Sequence, residues 1–196
     1  MESNQPRVVG LSDLGRLTAR ANVAFAVRCA QRMRPCFDLP ADAPSRREQT
    51  AAVDRAIRVA AAFCRGLPGE PGQAAAAVRV ARRVADETCE FTRFAGYAAV
   101  HAAEAAAYAE ELVGHSPDSS MTDVVAAAFG AGRVVAANAD PETLDCVAAA
   151  LYADVEKLGS LGCGDGEELG APVDPSENGP LGPLWPEGPP SWCAQS

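Results

Sequence analysis

Phe94-Ala-Gly-Tyr-Ala-Ala-Val-His-Ala-Ala-Glu-Ala-Ala-Ala-Tyr-Ala-Glu-Glu-Leu112 decides the fold. Phe94, Tyr97, Ala98, His101, Ala105, Tyr108 and Leu112 recur at steps of three and four, the period of one face of an α-helix. Alanine fills nearly every other place, and no residue before Gly114 is a strong breaker apart from Gly96. A helix this rich in alanine is thin, so its neighbours can approach closely and the bundle around it should be tight.

Outward from this stretch the same period returns five times. Leu14, Leu17, Ala21, Phe25 and Cys29 form a stripe with Ser12 as candidate N-cap, and Pro35 ends it near Arg34. Ser45 and Glu48 have capping-box spacing ahead of Val53, Ala56, Ile57, Ala60 and Cys64; Gly66 and Pro68 stop that helix. A third helix spans about Gln73 to Glu90, with Ala77, Val78, Ala81, Val84, Ala85 and Thr88 inward and Arg79, Arg82, Arg83 and Asp86 outward. Between Phe91 and Arg93 the pattern either continues or kinks. Beyond the quoted stretch, Ser120 and Asp123 open a fifth helix carrying Val124, Val125, Ala128, Phe129, Val134 and Val135, weakened by Gly130 and Gly132. Asp140-Pro141-Glu142 starts a sixth, with Leu144, Val147, Ala148, Leu151, Tyr152, Val155 and Leu158, and Gly159 stops it. No run alternates as a strand does. The fold expected is all-α, a bundle of about six antiparallel helices over 1–158.

Composition changes at Gly159. Fifteen of the 38 residues from there to Ser196 are Gly or Pro, and acids outnumber bases. Such sequence builds no core of its own, so 159–196 is expected to be a disordered acidic tail whose deletion leaves stability unchanged. Trp185 and Trp192 are unusual there. They are expected to anchor on the bundle, to serve as a motif for a partner, or to do nothing.

The net charge of −9 is divided unevenly. Residues 1–100 carry 15 Arg against 10 acids, a balance of +5; residues 101–196 carry Arg133 and Lys157 against 16 acids, a balance of −14. An acidic chain argues against nucleic acid, whose binding rests on neutralising phosphates. No apolar run is long enough to span a membrane and the start has no apolar leader, so the cytoplasm is the expected location. The seven cysteines, at 29, 36, 64, 89, 146, 163 and 193, are irregularly spaced with no CxxC, which predicts reduced thiols rather than a disulfide framework or structural zinc.

Candidate chemistry is sparse. His101, between Tyr97 and Tyr108 on the central stripe, reads as a core histidine with one hydrogen bond, or as an acid, base or recognition donor poised by Glu104 or a tyrosine hydroxyl. Arg28, Arg32 and Arg34 form a ridge that is either a solvated face or a site for an anion or acidic partner. Glu-x-x-His, needed on two helices of a di-iron bundle, is absent, and His101-x-x-Glu104 has the reverse order. Gly162-Cys163-Gly164-Asp165-Gly166 has no strand before it, which argues against a phosphate loop. His115 reads as an exposed loop residue. The expectation is no catalytic residue, metal site or cofactor, and binding candidates at Arg28, Arg32, Arg34, Tyr97, His101 and Tyr108.

Phe25-Ala-Val-Arg-Cys29-Ala30-Gln-Arg32-Met-Arg-Pro35-Cys-Phe37, followed by Ala52-Val-Asp-Arg-Ala56-Ile57, Ala62-Phe-Cys-Arg-Gly66 and Ala95-Gly-Tyr-Ala-Ala-Val-His101-Ala-Ala, resembles the alanine-rich helical immunity proteins associated with bacterial polymorphic toxins. The resemblance covers about residues 22–110. It implies a non-enzymatic cytosolic protein that occludes a cognate toxin. From the residues alone, a small helical enzyme centred on His101 and a structural scaffold stay open beside a protein-binding module.

Overall fold

The computed structural model describes residues 8–114, 120–162 and 169–193, and the side chains of Glu90 and Phe91 fall outside that description. His115 and 163–166 lie outside it too. Among the described residues the secondary structure is entirely helical. Seven α-helices follow in order: α1 Leu11–Leu14, α2 Ala19–Met33, α3 Arg46–Cys64, α4 Gln73–Glu87, α5 Glu90–Val113, α6 Met121–Ala137 and α7 Leu144–Ser160. Short 3-10 turns occupy Arg34–Cys36 and Ser191–Cys193. No described helix is long and apolar enough to cross a membrane.

The central helix is α5, which packs against α2, α3, α4 and α6. Its alanines make this possible: Ala95, Ala98, Ala99, Ala102, Ala103, Ala105, Ala106 and Ala109 are all buried, on more than one face. Gly96 sits where a Cβ would come within 2.9 Å of the Ala85 Cβ on α4, so glycine there sets the approach of α4 to α5. The large residues of the expected stripe lie on the less buried side of α5: Phe94 is exposed and Tyr97, His101, Tyr108 and Leu112 are half-buried, while Ala98 and Ala105 and the other alanines face the core.

The first helix expected from Ser12 to Arg34 is two helices. The chain breaks between Gly15 and Thr18, and the cause is Asn22. Its buried side-chain amide donates to the carbonyls of Leu14, Leu17 and Thr18 at 3.1, 3.0 and 3.1 Å. The Leu14 and Thr18 carbonyls also accept the backbone amides of Leu17 and Asn22, at 3.0 Å each, so the side chain ties the two ends of the break together. Near Phe91, where the pattern is expected either to continue or to kink, the chain instead breaks fully just before, at Thr88 and Cys89, where both backbones are extended. Ser120 and Asp123, expected to open a helix, do so at α6 with a capping box. Ser45 precedes α3, but its side chain makes no cap bond.

The larger correction concerns the segment after α7. Residues 169–193 are not a disordered tail: they run as an irregular strap across the bundle, with Val173 and Leu181 buried in the common core. The strap begins at Leu169 and Gly170, whose carbonyls accept from the Arg20 amide at 2.9 Å and the Arg20 guanidinium at 2.8 Å. Gly170 has φ +78°, and a Cβ there would lie 2.1 Å from the Thr18 hydroxyl, so both conformation and space demand glycine. The Val173 amide donates to the Cys64 carbonyl at 2.8 Å. Composition misleads here because proline and glycine build an ordered irregular segment as readily as a disordered one, provided that a partner satisfies the backbone.

Candidate functional site

Arg28 and Arg32 are four residues apart on α2 and so share a face. That face is not a solvated ridge. Both side chains are buried to 1% exposure or less, and between them lies Asp154 of α7, 3% exposed. Arg28 Nε donates to Asp154 Oδ1 at 2.8 Å and Arg32 Nη1 to Oδ2 at 2.6 Å. One carboxylate thus bridges two guanidiniums and leaves a net positive charge inside the protein.

The strap answers that charge with backbone carbonyls. Arg28 donates to the carbonyls of Gly182 at 2.9 Å and Pro183 at 2.7 Å, and more distantly to Pro175 at 3.4 Å. Arg32 donates twice to the Leu184 carbonyl, at 2.9 and 2.7 Å, and to the Ala150 carbonyl at 3.3 Å. Its guanidinium lies 5.3 Å from the centroid of the Trp185 ring, which meets Trp192 edge to face at 5.8 Å. Cation–π attraction strengthens where water is excluded, as here. Buried charge is tolerated only when paired and hydrogen-bonded throughout, and this cluster meets that condition. The two arginines are the dock for the protein's own C-terminal strap.

Arg34, on the 3-10 turn, does not join them. It forms a two-pronged pair with Asp54 of α3, half exposed on both sides.

The second candidate cluster lies on α5. Tyr97, His101, Glu104 and Tyr108 follow each other at helical steps between α4 and α6. The His101 side chain is 29% exposed rather than a fully buried core histidine. Its Nδ1 lies 2.9 Å from Glu104 Oε2, and the other Glu104 oxygen accepts from Arg82 of α4. Glu104 is therefore the neighbour that holds the imidazole. Gly130 of α6 closes over the ring: a Cβ there would come within 2.9 Å of it. Tyr97 turns away and donates to Asp86. That bond, with the negative charge, pushes the Tyr97 phenol up; Tyr108 is pushed up by burial and by nearby Glu104 and Asp123. The three residues share a helix face, but Tyr97 and His101 engage different partners.

An apolar cavity of about 390 Å³ opens between α2, α6 and α7, lined by Phe25, Phe129, Gly132 and Leu151 with Arg133 at its edge. Neither His101 nor the two tyrosines line it. A groove of about 360 Å³ runs between α3 and α4, lined by Ala51, Ala52, Ala76 and Ala77 with Glu48, Arg55 and Val80. Along its α4 side Arg79, Val80 and Arg83 are exposed.

Sequence reading missed Asp154 altogether. A signal was present: Val147, Leu151, Asp154 and Leu158 follow one stripe of α7, so a carboxylate sits where an apolar residue belongs. Its partners lie 122 and 126 residues earlier, beyond the reach of local pattern. Comparison with protein-family models, curated proteins and solved structures returns no match to this chain.

Proposed function

We propose that the protein is a non-catalytic protein-binding module of the immunity type, neutralising a cognate toxin by occluding it. The observation that carries this reading is that both candidate clusters are filled from within. Asp154 and the strap carbonyls take up Arg28 and Arg32, while Glu104 and the close approach of Gly130 hold His101. Neither leaves the open, partly apolar pocket with convergent polar groups that a small substrate needs.

Besides the apolar cavity between α2, α6 and α7, what remains available is surface. The outer side of α3 and α4 offers exposed Arg55, Arg79 and Arg83 around Val80, which is 54% exposed, at the alanine-lined groove. Arginine beside an apolar residue suits a protein interface, and the charge selects an acidic partner surface. The chain's own acids lie mostly in residues 101–196. The resemblance of residues 22–110 to alanine-rich immunity proteins agrees with this use.

The test is growth of cells producing a toxin encoded beside this chain, with and without the chain itself. Rescue by the wild type, lost in an Arg79→Glu/Arg83→Glu variant of unchanged helicity, supports the reading. Rescue indifferent to that double reversal moves the interface elsewhere; no rescue removes the immunity reading. The enzyme alternative is addressed by His101→Gln, since glutamine keeps a hydrogen bond but not an imidazole's proton chemistry. A catalytic step abolished in a folded His101→Gln protein would replace this proposal.

A further inference from the structure

Cys36 ends the 3-10 turn after α2, and Cys193 ends the 3-10 turn of the strap; the two turns pack against each other. The Cys193 thiol donates to the Arg32 carbonyl at 3.6 Å. That carbonyl belongs to the residue one helical turn before Cys36, so it points along the axis toward the same place. The packed turns thus bring the Cys36 and Cys193 thiols together at the end of α2. Cys36 is buried and Cys193 partly exposed, so solvent reaches the pair from the strap side.

We propose that Cys36 and Cys193 form a thiol-oxidation site at which a peroxide joins them in a disulfide, latching the strap over Arg28 and Arg32. The Cys36 sulfur, as thiolate, attacks one peroxide oxygen; the O–O bond breaks, giving a sulfenic acid and hydroxide, which takes up a proton as water. The Cys193 sulfur then attacks the sulfenic sulfur, the S–S bond forms, and the S–O bond breaks to release a second water. Two thiols are oxidised by two electrons and one peroxide is reduced to two waters.

The other thiols show why this pair is singled out. Burial pushes Cys29 up to about 12 and Cys64 higher still, so neither supplies a thiolate. Cys36 shifts the other way, lowered by its thiol neighbour Cys193. Cys89 is exposed and carries a lowered thiol too, but its hydrogen-bond partner is the Thr92 hydroxyl, which cannot resolve a sulfenic acid.

The experiment treats the full-length native chain with hydrogen peroxide, blocks free thiols, and digests with trypsin and a glutamate-specific protease. The second protease separates Cys193, in 188–196, from Cys163. The expected product is 33–46 linked to 188–196, two hydrogens lighter than the separate peptides, with Tm raised by about 5 °C or more and restored by a thiol reductant. Cys193→Ser, on the partly exposed member, should show neither the link nor the shift, while Cys89→Ser should keep both. A native, peroxide-treated protein in which Cys36 is still free, is oxidised to sulfinic acid, or is linked to another cysteine overturns the proposal. So does a Cys36–Cys193 link that leaves Tm unchanged, since a latch must restrain the strap.

Discussion

Arg32 Nη1 lies 2.6 Å from Asp154 Oδ2, joining α2 to α7 across 122 residues of sequence in a place that water does not reach. A pair of this kind adds little stability relative to an apolar replacement, because desolvation offsets the attraction. Breaking it is another matter. The remaining charge would be stranded, and here two arginines depend on one carboxylate.

Asp154→Ala should therefore destabilise by about 3–5 kcal/mol, lowering Tm by roughly 6–20 °C for a chain of this size. Asp54→Ala, which removes the half-exposed partner of Arg34, should cost about 1 kcal/mol or less. Urea unfolding of both variants measures the contrast. Equal losses would mean that Asp154 is not the charge that holds the two arginines.

Removing residues 169–196 should lower Tm by more than about 5 °C, since it strips the carbonyl partners from Arg28 and Arg32 and uncovers Val173 and Leu181 contacts. Trp185 and Trp192 are the two tryptophans of the chain, so their fluorescence reports this docking directly. Emission should be blue-shifted in the native protein, and Arg32→Met should shift it red while far-ultraviolet circular dichroism stays helical. Emission already at the fully hydrated wavelength in the native state would contradict the docked strap.

Gly130→Ala pits two effects against each other. Alanine favours the helix by about 1 kcal/mol, but its Cβ would press to within 2.9 Å of the His101 ring. The prediction is net destabilisation, relieved or reversed when His101→Ala is added. A double-mutant cycle reads the coupling. No coupling would show that the imidazole moves aside freely.

Burial, with a smaller contribution from neighbouring Glu111, raises the Glu110 carboxyl above its ordinary value. A raised carboxylate favours the folded state when protonated, so its ionisation costs stability as pH rises through the carboxylate range. Glu110→Gln should stabilise at neutral pH, and the gain should fade on acidification below the ordinary carboxylate value. Asp123 and Asp140 have the opposite sign. Hydrogen bonds from Ser120 and Thr143 hold them low, so their contributions are present at neutral pH and lost as acid protonates them. Denaturant midpoints of the wild type and Glu110→Gln across this pH range test the Glu110 sign. A Gln variant less stable at neutral pH would refute it.

The all-helical class and several helix ends were determined by the sequence alone, because periodicity, caps and breakers are local. Ser120 with Asp123, Pro35 and Gly66 act on backbone within a few residues, and no tertiary partner is needed for them to do so. The face presented by Arg28 and Arg32 was decided only by the tertiary structure. Local pattern puts arginine in water by default, and the carboxylate that makes burial possible comes from α7. The same holds for the strap: glycine and proline remove the strand and helix options, but order depends on whether distant donors meet its carbonyls. Arg20, Arg28 and Arg32 supply those donors, and they do so only once α2 and α7 have been brought together.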